Sequence, residues 1–169
     1  MSDLLILAAS NGENLKLARR FADAAQAMGF STDVLDLTDL DLPLFTPRRR
    51  DAGPPESLLA LHAQLQQGER WIICAPEYNG SIPPVLTSAF AWLSVLGDDF
   101  RALFNGRPMA MASHSGSGGY EVLTALRIQL AHLGAHVMGR QLIANNTKAA
   151  HDSSITAILQ GLMALRSPG

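Results

Sequence analysis

The 169-residue sequence has a single cysteine and no long apolar run. One cysteine allows no disulfide within the chain, which is typical of proteins from a reducing compartment. No apolar stretch approaches the roughly 20 residues needed to cross a bilayer. The acidic Asp3 and the short apolar run after it do not resemble a secretory signal. We therefore expect a cytoplasmic protein that has no membrane partner.

The sequence also has little net charge and no clustered metal ligands. Its formal net charge is -2, which argues against nucleic acid as a partner. The five histidines are scattered and show no metal-ligand spacing, so no structural metal is expected. Arg48, Arg49 and Arg50 form the only dense basic run, within a Pro/Asp/Gly-rich segment. For this run we favour a solvated loop over an anion site. For Cys74 we favour a buried strand residue over a reactive thiol.

What the sequence does contain is an alternation of strand-like and helix-like segments. Short continuous apolar runs indicate strands that are covered on both faces. The predicted strands are Leu4 to Ala8, Thr32 to Leu37, Trp71 to Ala75, Pro108 to Ala112 and Val137 to Ile143. The predicted helices are Glu13 to Met28, Pro54 to Gln67, Val85 to Val95, Glu121 to Leu133 and Ser153 to Leu165, and Thr38 to Pro55 is expected to be irregular up to the start of the second helix.

Five strand–helix units in succession predict an α/β fold with a parallel sheet, because parallel neighbours need a crossover connection. Right-handed crossovers with one reversal give the strand order 2-1-3-4-5, with helices on both faces. Residues 1–169 read as one domain without repeats or linkers. Ligands of such sheets bind outside the carboxyl ends of the strands. This rule selects the loops after the first, third and fourth strands.

The loop after the first strand is built from small polar residues and precedes a helix. Backbone N–H groups and the start of a helix favour an anion, and Ser10 and Asn14 can donate side-chain hydrogen bonds to phosphate oxygens. The alternative is an ordinary helix cap.

The loop after the third strand, residues 76–84, combines Tyr78, Gly80 and three prolines. Its stiffness and its aromatic side chain suit a flat ring, although a plain multi-turn loop has the same composition.

The loop after the fourth strand, residues 113–119, is rich in Ser and Gly. It suits a planar ligand or an anion. It does not match the dinucleotide-binding fingerprint, because Glu121 occupies the position of the last glycine.

Taken together, these loops resemble a known family. The run from Ala75 to Pro83, with Leu86 and Trp92 after it, resembles the signature of the NADPH-dependent FMN reductase family. That family is flavodoxin-like, a three-layer sandwich, and includes azo, quinone and chromate reductases. The segments 41–45 and 106–108 fit the same pattern. The resemblance covers essentially the whole chain.

The resemblance implies a role for each loop. The FMN phosphate would lie on the first loop, the isoalloxazine on the second, and the third would close the other side of the ring. The residues implied are Ser10, Asn11, Gly12 and Asn14 in the first loop, Pro76, Glu77, Tyr78, Asn79, Gly80 and Ser81 in the second, and Ser115, Gly116, Gly118 and Gly119 in the third. NADPH or NADH would be the electron donor, a small molecule the acceptor, and the protein a homo-oligomer, dimer or tetramer.

The sequence departs from the family pattern at the phosphate loop and after the second loop. Ala9 replaces a glycine, Asn14 comes three residues early, and the usual Arg is missing. Loss of the Arg removes a charge-assisted contact, for which Lys16 or another group would have to compensate. Thr87 and Ser88 replace a Lys-Asn pair. The changes after the second loop put the usual interface and the preference for NADPH in doubt.

Other functions remain open at this point. Hydride transfer through a flavin needs no protein acid or base, and His114 is either a proton source or a solvent-facing side chain. A flavin-binding relative with little turnover, acting as an electron carrier or a regulatory module, would also explain the shortened loop. A serine hydrolase using Ser117 is a further alternative, although no acid and base follow in a convincing order.

Overall fold

A parallel sheet forms the centre of the fold. The computed structural model describes residues 1–116 and 118–166. Its strand order is β2-β1-β3-β4-β5, with β6 beside β5 on the same edge of β4, which confirms the predicted order. The strands are β1 (Ser2–Ala8), β2 (Thr32–Asp36), β3 (Gly68–Cys74), β4 (Pro108–His114), β5 (His136–Val137) and β6 (Leu142–Ala144).

The predicted fifth strand, Val137 to Ile143, is wrong as one continuous element. It consists of the two short strands β5 and β6, both parallel to β4. Between them the chain leaves the sheet, and the Arg127 guanidinium donates to the carbonyl of Met138 (2.7 Å) and to the side chain of Gln141 (2.9 Å). Arg127 thus bonds polar groups of this segment that a neighbouring strand would otherwise pair, so these groups keep a partner although the strand is interrupted.

Helices cover both faces of the sheet. Leu17, Phe21 and other residues of α1 pack with α6 on one face, and α3, α4 and α5 pack on the other. The side chains of β3 divide accordingly, with Ile72 and Cys74 on the first face and Trp71 and Ile73 on the second. The helices are α1 (Glu13–Ala27), α2 (Pro47–Asp51), α3 (Glu56–Gln67), α4 (Pro84–Leu93), α5 (Tyr120–His132) and α6 (Asp152–Met163).

The connection from β2 to α3 is more ordered than predicted. It contains a 3₁₀ turn at Leu37–Asp39 and the short helix α2, so the expectation of an irregular stretch with Arg48, Arg49 and Arg50 in a loop is wrong. The Thr46 hydroxyl accepts the N–H of Arg49 (3.2 Å), and Pro47 occupies the first turn. Threonine followed by proline is a typical helix start, so the sequence contains the signal for α2.

Cys74 is fully buried in β3, and its burial raises the pKa of the thiol above the ordinary value. This confirms a core cysteine that stays protonated at neutral pH. Within the described part of the chain, no helix has both the length and the apolar character required to cross a membrane.

Candidate functional site

The loops after β1, β3 and β4 meet at the carboxyl rim of the sheet. The ladder bonds continue past the strand ends and connect these loops. The N–H of Ala9 donates to the carbonyl of Cys74 (2.9 Å), and the N–H of Ala75 donates to that of Ala112 (3.0 Å). The N–H of Ser115 donates to the carbonyl of Ala144 (3.1 Å), which connects the third loop to β6. The three predicted loops therefore start side by side.

Asn14 joins the first loop to the end of β4. Its side chain is 2 % exposed. Its amide nitrogen donates to the carbonyl of His114 (2.9 Å), and its amide oxygen accepts the N–H of His114 (2.9 Å). A side-chain amide paired in this way imitates a strand neighbour. The structure thus places Asn14 between two loops, with both ends of its amide bonded inside the protein.

The first loop leads directly into α1. Ser10 is half-buried, whereas Asn11 and Gly12 are exposed. Gly12 precedes the helix and has no side chain that could cap it. The N–H groups of Leu15 and Lys16 both donate to the Gly12 carbonyl (3.1 Å each). Those of Glu13 and Asn14 have no partner within the helix, and the first turn carries a positive partial charge. The start of α1 therefore leaves these two N–H groups as open donors at the rim.

Glu13 and Lys16 form an ion pair in the first turn of α1. The Lys16 ammonium lies 2.6 Å from the Glu13 carboxylate, and both side chains are largely exposed. The hydrogen bond and the charge of Lys16 hold the pKa of Glu13 below its usual value, with a smaller contribution from His114. A carboxylate and an ammonium therefore both border the open donors.

The second loop has a tight turn at its tip. The backbone groups of Tyr78 and Ser81 exchange two hydrogen bonds of 3.1 and 3.0 Å. Asn79 and Gly80 between them have φ values of 51° and 68°. Two left-handed residues in a two-residue turn define type I′, which favours Asn-Gly. The sequence itself therefore fixes the shape of this tip, on which Tyr78 is 49 % exposed.

Glu77 connects the second loop to the helix that follows the third. One carboxylate oxygen accepts the N–H groups of Glu121 (3.1 Å) and Val122 (3.3 Å). These residues lie in the first turn of α5, where Gly119 cannot supply a side-chain cap. Glu77 thus caps α5 from another loop. The preceding Pro76 is buried.

The third loop combines buried serines with glycines. Ser115 is buried and Gly116 is exposed. A methyl group added at Gly116 or Gly118 would meet no atom within 4 Å, whereas one at Gly119 would lie 2.7 Å from the Ser113 hydroxyl. Gly118 and Gly119 have φ values of 124° and 81°, which favour glycine. Ser117, the nucleophile of the hydrolase alternative, lies outside the described residues.

His114 lies on the side of the first loop. It lines a cleft between α1 and the segment after β6, together with Lys16 and Asn145. Its backbone holds Asn14, as described above. The structure therefore places His114 beside the first turn of α1, on the phosphate side of the predicted flavin site.

Sequence reasoning missed the residues that hold the β2–α3 connection against α4. The Ser88 hydroxyl accepts the N–H of Phe45 (2.8 Å), and the Trp92 indole N–H donates to the carbonyl of Pro43 (2.7 Å). The rings of Phe45 and Trp92 also meet edge to face at 5.2 Å. The available signal was Ser88 itself, a polar residue on the apolar face of α4.

Comparison with known proteins agrees with this geometry. The family model described as NADPH-dependent FMN reductase matches residues 2–149. The quinone reductase of Escherichia coli K12 is 35 % identical over 103 residues, which are 59 % of this chain and 53 % of that protein. The chain thus matches about half the length of this curated relative.

Two solved structures share the fold. FerB of Paracoccus denitrificans, a flavoenzyme NAD(P)H:(acceptor) oxidoreductase, has a TM-score of 0.71 at 22 % identity, covering 96 % of this chain and 93 % of its own. An oxidoreductase of Corynebacterium diphtheriae has a TM-score of 0.73 at 18 % identity, covering 96 % and 94 %. These likenesses confirm the flavodoxin-like architecture. With a family match over most of its length, the chain belongs to the NADPH-dependent FMN reductase family.

Proposed function

We propose that the protein is an FMN-dependent oxidoreductase that takes a hydride from NAD(P)H and delivers electrons to a small acceptor. The acceptor would be a quinone, an azo compound, a metal oxyanion or free flavin. The observation that carries the proposal is the joining of the three rim loops by Asn14 and Glu77. Two side chains that could have faced solvent are instead used to hold three loops in register.

The residues at the rim fit the two ends of FMN. The start of α1 presents uncapped N–H groups, in contrast to the start of α5, which Glu77 caps. An anion such as the FMN phosphate suits the uncapped helix. Ser10, Asn11 and Gly12 would hold the phosphate, with Lys16 nearby as a counter-charge. Asn14 would position the loop and would not itself contact the phosphate.

The ring end would lie between the second and third loops. The turn from Tyr78 to Ser81 would offer backbone groups at Asn79 and Gly80 to the polar edge of the ring, and Pro76 would support it from the sheet. Ser115, Gly116, Gly118 and Gly119 would lie along the other side, where open space over Gly116 and Gly118 lets backbone approach a flat ligand. Tyr78 would shape the entrance, and Glu77 would keep the two loops at a fixed separation.

Bound FMN supplies the redox chemistry, since a flavin accepts a hydride from a nicotinamide and passes electrons on. The protein then has to bind, orient and exclude water. This division agrees with the absence, among the described site residues, of a side-chain pair arranged as acid and base. It also gives His114 no required role.

A second candidate is a flavin-binding relative with little turnover. Glu13 favours it, because its carboxylate borders the donors at the start of α1 and the family's Arg is missing. A phosphate would have to compete with Glu13 for Lys16. Under this alternative FMN binds weakly and is reduced slowly.

We also propose a cytoplasmic homo-oligomer, a dimer or tetramer. The large apolar side chains of α4, such as Phe90 and Trp92, are buried within the chain, so this helix offers little apolar surface. Tyr78, Tyr120 and Ile128 are among the exposed large apolar side chains, and we propose that a second copy covers these three. Light scattering at several concentrations would test this assembly.

The decisive experiment is reconstitution followed by turnover. Purified protein would be loaded with FMN, and flavin bleaching by NADPH and by NADH would be followed before adding a quinone. Rapid bleaching and reoxidation by the quinone are expected. Stable FMN binding with bleaching too slow for turnover would favour the second candidate. Failure to bind FMN would contradict both.

A further inference from the structure

Helix α2 presents three consecutive arginines that the proposed FMN site does not use. We infer that Arg48 and Arg49 bind the 2′-phosphate of NADPH and so select NADPH over NADH. This inference rests on the proposed function and deepens it, because it names the electron donor and the residues that recognise it.

The topology ties the segment that carries α2 to the rim of the FMN loops at both of its ends. Strand β2 ends at this rim with Asp36, and α3 starts there with Glu56, because α3 runs antiparallel to the sheet before β3. The connection between them therefore starts and ends at the same end of the sheet as the loops after β1, β3 and β4. The arginines thus belong to a segment attached at the end of the molecule where a ligand reaches the flavin.

The connection is anchored to α4 at two residues just before α2. Pro43 and Phe45 are held by Trp92 and Ser88 of α4, the helix that follows the second loop. Ser88 is a buried hydroxyl used for this single backbone contact in the described structure. Since α2 begins two residues after Phe45, its position relative to the second loop is fixed by specific bonds.

The local structure of α2 holds the arginines in a defined arrangement. Thr46 caps the helix, and the N–H of Gly53 donates to the carbonyl of Arg50 (3.0 Å). Gly53 has a φ of 101°, which suits the glycine that ends a helix. The basic run is thus carried by a capped helical turn and not by a loop.

Arg48 and Arg49 have charge available for an external anion. Arg50 pairs with the adjacent Asp51 at 2.8 Å. No acidic side chain of the described residues lies within ion-pair distance of Arg48 or Arg49, and both are exposed. The net charge of the protein is -2, so these two exposed guanidinium groups are not part of a generally basic surface.

The ligand chemistry favours the 2′-phosphate over other anions of the reaction. The nicotinamide must reach the flavin at the second loop, and the 2′-phosphate lies at the opposite end of NADPH. It is a phosphate monoester of high charge, whose oxygens can accept paired hydrogen bonds from a guanidinium group. NADH lacks it, so arginines placed away from the ring would separate the two nucleotides without affecting hydride transfer.

The test compares two double variants. Arg48→Gln/Arg49→Gln changes α2. The control, Arg19→Gln/Arg140→Gln, removes the same charge from exposed positions on α1 and between β5 and β6. For FMN-loaded protein, KM would be measured with NADPH and NADH, and adenosine 2′,5′-bisphosphate would be titrated by calorimetry. We expect the α2 variant to raise KM for NADPH about tenfold and to weaken binding of the bisphosphate about tenfold. The cause is the loss of charge-assisted hydrogen bonds to the phosphate. KM for NADH and kcat with either nucleotide should stay within about twofold, and the control should match the unaltered protein.

Three outcomes would overturn the inference. They are an unaltered protein without a preference for NADPH, a variant with an unchanged KM for NADPH, and equal losses with NADH and NADPH. Equal losses would indicate a general effect of charge or folding, or a role of α2 in docking an acidic macromolecule. If neither nucleotide reduces the unaltered FMN-loaded protein, the proposed function fails and the inference fails with it.

Discussion

The side chain of Asn14 and the backbone of His114 exchange two hydrogen bonds of 2.9 Å across 100 residues of sequence. This pair fixes the phosphate-side loop against the strand that leads into the third loop. Glu77 makes the corresponding connection between the second loop and α5. The rim of this protein is therefore held together by two residues that a sequence pattern would assign to ligand contact.

Replacing Asn14 tests its positioning role. Asn14→Ala leaves both backbone groups of His114 without their partner, and we expect a loss of about 1–3 kcal/mol in the free energy of unfolding. Asn14→Asp keeps the acceptor but sets a carboxylate oxygen against the His114 carbonyl, so it should also destabilise. Urea denaturation and FMN titration would measure both effects. Asn146→Ala, at an exposed position, is the control; equal stability of Asn14→Ala and this control would contradict the role.

Removing the Glu77 carboxylate should loosen the second loop and α5. We expect Glu77→Ala to cost about 1 kcal/mol, the value of a helix cap, and Glu77→Gln to cost less because an acceptor remains. FMN affinity should fall in the same order. Glu56→Gln removes an acidic residue from the first turn of α3 and should leave FMN affinity unchanged. An affinity that does not respond to Glu77→Ala would show that the cap does not position the site.

A methyl group at Gly116 would separate folding from flavin binding. The space around Gly116 is open and its φ is not left-handed, so Gly116→Ala should change stability by less than about 0.5 kcal/mol. If the loop lies flat against the ring, the methyl group should weaken FMN about tenfold or more, in line with a steric cost of ~1–3 kcal/mol. Gly139→Ala, equally open, is the matched control. Unchanged affinity in Gly116→Ala would place the ring elsewhere.

Asp3 makes stability depend on acid pH. Its carboxylate accepts the N–H (2.8 Å) and the hydroxyl (2.6 Å) of Ser31, and these bonds hold the pKa of Asp3 below its ordinary value of 3.8. A depressed folded pKa stabilises the fold above the ordinary value, and this contribution is lost as pH falls through the folded value. We expect unfolding curves of Asp3→Asn to show a smaller loss of stability below about pH 4 than those of the unaltered protein. Parallel curves at every pH would refute the contribution.

The architecture could be predicted from the sequence because its signals are local. The buried runs around Ile6, Ile72 and Ala110 show no polar interruptions, which is typical of strands covered on both faces. The break between β5 and β6 was missed because it depends on Arg127, a residue on another element. Helix α2 was missed although Thr46 and Pro47 signal its start; the composition of the segment outweighed that signal.

The site was predictable at the level of loops and less so at the level of single residues. The Asn79-Gly80 pair specifies its own turn, so the shape of the second loop follows from the sequence. The partners of Asn14 and Glu77 lie 100 and about 44 residues away, and no local pattern encodes them. The role of Ser88 likewise depends on a distant residue, because its hydroxyl accepts the N–H of Phe45 only in the folded chain.

An FMN titration followed by amide chemical shifts tests the central claim most directly. Nitrogen-labelled protein would be titrated with FMN and, as a comparison, with riboflavin. We expect the largest shifts at residues 10–14, 77–81 and 115–119, and we expect those at 10–14 to depend on the phosphate. Absence of binding, or shifts centred outside these three loops, would contradict the account.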